Sequence, residues 1–435
     1  MTFCLDDFKL AIQNGFLKPY SLSYDYVDEQ KYEQFRKDIE WKDNKIAETF
    51  QELRKRMSRK YFREVLLAQV AALDYATLQF PSYSFMLSED LSDDWLAIVD
   101  FHKKYTRDHS LHQPLTAYIT AQLLGFGNSA KALSIPREKG NLLDFCVNVI
   151  LEEKAANYIL DYARKYGLPE TMMQKDSLVA REFWKGLFYQ TAVLSALFHD
   201  IGYPWQYVDR VGAALRRSVT TLHQSDSLVN KVIEEFMDRM VFLPLRNYQS
   251  VHDTESVFEK DDLFRLISVA LGTHGFPGAI AFLTLNDAIR KTTASSALAK
   301  MHVFAIEWAA MGIFMHDMEG AHTKHYPKLR VSFRQDPISS LVSLADYLEE
   351  FNRPNVQFKT KLKESRMRYG YGCSSVEVDI DAEGIMYVDM KYRNSASKAI
   401  ACKFKTEETE NYFNPSSGYV DMAPLGIKNV IYSQI

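Results

Sequence analysis

Two nearly uninterrupted apolar runs stand out along this chain, and each ends in the same order of polar residues. The first, Ala192 to Phe198, leads into His199-Asp200 and is stopped by Gly202 and Pro204; the second, Trp308 to Met315, leads into His316-Asp317 and then Gly320. Apolar continuity of this length predicts a buried helix, and the Gly and Pro that follow are stop signals. A third helical pattern, Leu341, Leu344, Ala345 and Leu348, carries Asp346 beside its apolar stripe. Asp346 is therefore expected to face inward.

The remaining periodicities fill in the organisation. Asp43 to Tyr75 reads as an amphipathic helix, with the basic cluster Arg54 to Arg63 as its solvated face, and Trp205–Arg217 and Ser227–Met240 read the same way. Leu142 to Tyr166 is helical in pattern and lies between polar breaks. Beyond Pro354 the period changes: Ser375 to Asp381 alternates strictly, Ala382-Glu383-Gly384 turns, and Ile385 to Tyr392 continues as a partner strand, which predicts a β-hairpin. The expected fold is mainly α: a helical N-terminal region over 1–100, an all-helical core over 101–354 with a helical insertion around 126–180, and a small C-terminal α+β module over 355–435.

Composition narrows the class. At 435 residues with 47% hydrophobic and 13% aromatic content, the chain can bury a substantial core. The 52 basic residues nearly balance the 56 acidic ones, so no global field recruits long nucleic acid or an anionic membrane. Cys4, Cys146, Cys373 and Cys402 are scattered, without paired spacing, which suits a reducing compartment. The first residues lack the basic and apolar segments of a signal peptide, and no uncharged run reaches membrane-spanning length. A cytoplasmic protein is expected, with its oligomeric state open.

The chemistry starts from the dyad. A carboxylate at the end of a buried helix is costly unless it is paired, hydrogen-bonded or bound to a metal. Adjacent helical residues point about 100° apart, so His199 and Asp200 serve one centre only at the helix end, or else the carboxylate bridges two ions while the imidazole binds one. In isolation such a pair reads first as a satisfied core histidine beside a helix-ending Asp. Other candidates change that balance. His109 and His112 share a helical face, with Pro114 in the first turn if the helix starts near His112. His274 is set among Gly272, Gly275, Pro277 and Gly278, where a sharp turn holds it, and the second apolar run delivers His316. His322 and His325 are expected to face solvent.

The order His112, His199-Asp200, Asp346 on helix ends and inward faces resembles the HD-domain superfamily of metal-dependent phosphohydrolases, whose pattern is H…HD…D. Phe198-His199-Asp200-Ile201-Gly202 is similar to its HDIG form, and Leu344-Ala345-Asp346-Tyr347-Leu348 to its closing Asp helix. The resemblance covers roughly residues 100 to 354. It implies His112, His199, Asp200 and Asp346 as metal ligands, and His274 and His316 where binuclear members, including the HD-GYP phosphodiesterases, place extra histidines. It makes Asp200 a bridging or anchoring catalytic carboxylate, and His109 either a phosphate contact or a rival first ligand. The implied cofactor is one or two divalent ions of Mn, Mg, Fe, Ni or Zn.

The implied reaction is hydrolysis of a phosphoester or phosphoanhydride in a nucleotide or other small phosphate compound by metal-activated water. Tyr203 stands where HDIG phosphodiesterases commonly carry a Lys, and the Glu-Asp pair of guanosine-tetraphosphate hydrolases is missing, so no particular substrate carries over. Two alternatives stand beside this reading: a non-catalytic HD-fold module for ligand sensing or protein interaction, and a di-iron oxygenase of HD type.

Overall fold

A computed structural model describes residues 1–4, 7, 109–125, 131–136, 140–152, 157–165, 167–202, 273–285, 297–324, 329–351, 373–392 and 395–434. In chain order the helices are α1 (His109–Leu123), α2 (Leu142–Leu151), α3 (Asn157–Lys165), α4 (Leu178–Phe198), α5 (Gly275–Leu285), α6 (Ala297–Met315), α7 (Glu319–Lys324), α8 (Pro337–Leu348) and α9 (Ser395–Phe413). The strands are β1 (Thr2–Cys4), β2 (Ser134–Ile135), β3 (Gly140–Asn141), β4 (Val331–Ser332), β5 (Cys373–Ile380), β6 (Ile385–Tyr392), β7 (Val420–Asp421) and β8 (Asn429–Gln434). The predicted helical segments 43–75, 205–217 and 227–240 lie outside the described residues.

Helix α4 is the axis of the helical part: α1, α2, α6 and α8 all pack against it, and α5 packs on α6. Its length follows from a Ser177 cap, whose side chain accepts from the Ala180 N–H, and from an apolar surface buried along nearly every turn. Trp184 lies at the centre, edge-on to Phe183, Phe304 and Trp308, and its Nε1–H donates to the Met172 carbonyl at 2.8 Å. Helix α8 starts on Asp336, which accepts from Ser339 N–H at 3.1 Å, with Pro337 at the position where a missing N–H costs nothing.

The expectation of a mainly α chain with an all-helical core is corrected. The described part holds 58% helix and 18% strand, in mixed sheets. A four-stranded sheet runs β1-β5-β6-β8, with β1 and β8 antiparallel and parallel, respectively, to their neighbours β5 and β6. Thr2 pairs with Glu377, so strand structure begins in the region expected to be helical. Within 101–354, β2 pairs with β3, and β4 pairs with β7 of the C-terminal region. Strands of two or three residues are too short to show a period of two, and partners this remote in sequence leave no local pattern.

Three smaller expectations also change. The helical pattern over 142–166 divides into α2 and α3. Helix α1 is already helical at His109, so Pro114 sits inside it and removes one helical hydrogen bond. His322 is buried, and its Nε2 lies 2.7 Å from the Ser417 carbonyl. The hairpin β5–β6 turns over 381–384, where Asp381 accepts from the N–H groups of Glu383 and Ile385. Among the described residues no helix is long and apolar enough to cross a membrane, and none of the four cysteines is in a disulfide.

Candidate metal centre

Five segments deliver one side chain or a pair each to a single point. Helix α1 brings His112, the end of α4 brings His199 and Asp200, the turn before α5 brings His274, the end of α6 brings His316, and α8 brings Asp346. The first four histidines and Asp200 are buried, while the Asp346 side chain keeps 17% exposure. His109 is the first described residue of α1, and its side chain lies outside the described part.

Two close backbone approaches create the convergence. Helices α4 and α6 cross where Gly312 meets Ser195: a Cβ on Gly312 would stand 2.2 Å from Ser195 Oγ. Ser195 Oγ–H donates to the Ala309 carbonyl at 3.0 Å. Ser195 and Gly312 each lie one turn before their histidine, so the crossing sets His199 and His316 side by side with ring centroids 4.9 Å apart. Gly202 does the same for the His274 turn, because a Cβ there would lie 1.9 Å from the His274 carbonyl and 2.4 Å from Gly278 N.

The imidazoles form a row, His112, His199, His316, His274, with centroids 4.9, 4.9 and 5.0 Å apart. Every ring turns Nε2 to the centre and Nδ1 to an acceptor behind it. His112 Nδ1 lies 2.5 Å from Glu349 Oε2, His199 Nδ1 2.7 Å from Ala196 O, His316 Nδ1 2.6 Å from Ile313 O and His274 Nδ1 2.8 Å from Asp317 Oδ2. A carbonyl only accepts, and Glu349 and Asp317 are engaged as acceptors by the Phe351 and His274 backbone N–H groups. Each Nδ1 is therefore the protonated nitrogen, and each Nε2 of a neutral ring presents a lone pair.

Those lone pairs face one another and the carboxylates. His112 Nε2 stands 3.1 Å from His199 Nε2, 3.3 Å from Asp200 Oδ2 and 3.2 Å from Asp346 Oδ1. His274 Nε2 stands 3.0 Å from His316 Nε2 and 2.9 Å from Asp200 Oδ1, with His316 Nε2 3.5 Å from that oxygen. Acceptors gathered this tightly are relieved by a proton or a cation among them. An ion with bonds of about 2.1 Å holds neighbouring ligands about 3.0 Å apart in an octahedron and about 3.4 Å in a tetrahedron, which matches these separations. His112, His199 and Asp346 form one group that could hold a metal ion, and His199, Asp200 and His316 form another. His199 belongs to both groups: Asp200 Oδ1 faces His274, His316 and His199, whose Nε2 is 3.4 Å away, and Oδ2 faces His112.

The electrostatics differ along the row. Burial holds the His199 pKa below its ordinary value, against the pull of Asp200, so the ring stays neutral and ready to bind. For His274 burial also opposes the charge, but Asp317 and Asp200 outweigh it and raise the pKa to about 10. Burial works against the Asp317 charge too, yet His274 holds its carboxyl below the usual range. In the ion-free chain His274 therefore carries the proton that relieves its side of the cluster.

Two members of the centre were not assigned a role by pattern. Asp317 belongs to the second His-Asp pair, but unlike Asp200 it turns back onto His274. Glu349, the residue that caps the end of α8 three positions after Asp346, backs His112; its only trace in sequence is that spacing. Comparison with family models, with curated proteins and with solved structures returns no match for this chain.

Proposed function

We propose that this chain is a metal-dependent phosphohydrolase of HD type, acting in the cytoplasm on a phosphoester or phosphoanhydride of a nucleotide or similar small phosphate compound. The observation that carries the reading is the convergence of four imidazole Nε2 atoms, each ring held by an acceptor at Nδ1, on two carboxylates. His112, His199, Asp346 and one Asp200 oxygen would hold one ion; His274, His316 and the other Asp200 oxygen would hold a second. A divalent ion in such a set supplies a water of lowered pKa and neutralises phosphate oxygens.

The chain's own residues do the rest. Asp200 couples the two halves through a single carboxylate, and the Nδ1 partners fix the rings so that no reorganisation is needed when substrate arrives. His109, one helical turn before His112, is the proposed phosphate contact. The near balance of charge favours a small substrate over a polymer.

The test is elemental analysis of wild type and Asp200→Ala after incubation with Mn, Mg, Fe, Ni or Zn, followed by a screen of nucleotide phosphoesters with the ion retained. One or two ions per chain, lost in the variant, with hydrolysis that disappears alongside them, is the expected result. No bound ion under any condition would sink the reading, and ions without hydrolysis would point to a sensing scaffold. The nitrogen-rich donor set also suits iron, which favours a di-iron oxygenase as the second reading. Retained iron whose absorbance responds to oxygen, without phosphoester cleavage, would select it.

A further inference from the structure

The C-terminal region touches both halves of the centre from behind, through different residues. Lys405 of α9 is buried, and its ammonium donates to the Tyr347 carbonyl at 2.5 Å, to Glu350 Oε1 at 2.9 Å and to Glu408 Oε2 at 2.6 Å. It also stands 3.8 Å over the Tyr347 ring. Tyr347 follows Asp346, and Glu350 follows Glu349. Lys405 thus caps the end of the helix that presents one ligand and the carboxylate backing another. Tyr347 OH lies 2.6 Å from Thr409 Oγ1, and Cys373 N–H donates to the Glu350 carbonyl at 3.0 Å, so α9 and β5 both hold this turn.

On the other half, Tyr419 is fully buried and its hydroxyl donates to the Met315 carbonyl at 2.5 Å, one residue before His316. The backbone at Tyr419 is itself fixed, because Val331 N–H donates to its carbonyl and Arg330 Nε donates to the Gly418 carbonyl. Neither Lys405 nor Tyr419 faces the ion-binding atoms. Each holds the backbone from which those atoms project.

We infer that Lys405 and Tyr419 are positioning residues through which the C-terminal module sets the metal centre, Lys405 for the His112/Asp346 half and Tyr419 for the His274/His316 half. The inference rests on the metal-centre reading above. Loss of the Lys405 ammonium removes the buried cation 2.9 Å from Glu350 Oε1, in the residue next to Glu349. The Glu349 carboxylate, and His112 with it, then shifts. Loss of the Tyr419 hydroxyl frees the last carbonyl of α6 and relaxes the orientation of His316.

The experiment isolates each half in the full chain. His274→Ala leaves the His112/Asp346 half, and Asp346→Ala leaves the His274/His316 half. Co²⁺ is titrated into both, following its visible bands, with and without Lys405→Met or Tyr419→Phe. The expected pattern is crossed: Lys405→Met weakens Co²⁺ binding about tenfold in the His274→Ala chain and little in the other, and Tyr419→Phe does the reverse. Equal weakening in both, or none in either, overturns the inference while leaving the metal centre standing. Absence of Co²⁺ bands in the wild type overturns the centre itself and the inference with it. The ion-free melting midpoint of every variant is measured alongside; if Lys405→Met fails to fold, Lys405→Met/Glu350→Gln, which removes both charges, takes its place under the same criteria.

Discussion

His112, His199, His274 and His316 each have one nitrogen committed to a fixed acceptor, which makes the other a prepared ligand. Glu349→Gln keeps the size of the group and removes its charge, and should weaken metal binding about 10–100-fold by direct titration. His199→Ala and Asp200→Ala should each lose the ion while keeping their far-ultraviolet dichroism, because the helices pack through apolar surface that the ligands do not supply. The His274 proton gives a pH signature. Its pKa is raised from 6.5 to about 10, so in the ion-free chain its stabilising contribution is full below 6.5 and is lost as pH rises through about 10. Metal binding at pH 7.5 must expel that proton. Calorimetry in two buffers of different ionisation heat should show net proton release, and affinity should rise with pH over that window. At this scale the candidate ligands His199 and Asp200 are legible as a dyad at the end of an apolar run. Glu349 was not, because a carboxylate that backs a histidine 237 residues away leaves no local pattern.

The helix crossings carry the next level. Gly312 and Ser195 let α4 and α6 approach closely enough to bring their terminal histidines into contact, and Ile338 Cγ2 of α8 would also lie 2.8 Å from a Cβ at Gly312. Gly312→Val should cost about 1–3 kcal/mol by overpacking and should reduce ion retention, checked by thermal melting and elemental analysis. Adding Ser195→Gly to it should recover part of the melting midpoint, since the two sites share one contact and their effects are not additive. The apolar runs before His199 and His316 announced α4 and the end of α6, since buried helices show in hydropathy alone. That Gly312 is a crossing point, whereas Gly320 has open space around its Cβ position, is decided by which helix lies opposite.

For the whole molecule, the mixed sheet and the helices form one support behind the centre. The four-stranded sheet is joined to the end of α8 through Cys373 and Glu350, and β4 to β7 through a parallel pair that spans the core and the C-terminal region. Ion removal should therefore be felt globally. A chelator should lower the melting midpoint of the wild type and leave that of Asp200→Ala unchanged; with free ion at about 100 times Kd the expected difference is about 2.7 kcal/mol.

Periodicity and punctuation in the sequence determined the buried helices, the Asp346 stripe, the 375–392 hairpin and the list of histidines and carboxylates, because each is written in residues a few positions apart. Tertiary structure alone decided that six of those side chains share one point, that Asp317 turns away from it while Asp200 turns in, and that strands as remote as Thr2 and Glu377 pair. The reason is physical. A helix or hairpin is selected by local burial and hydrogen bonding, whereas a metal centre and a mixed sheet are made of contacts between segments whose separation along the chain carries no repeating signal.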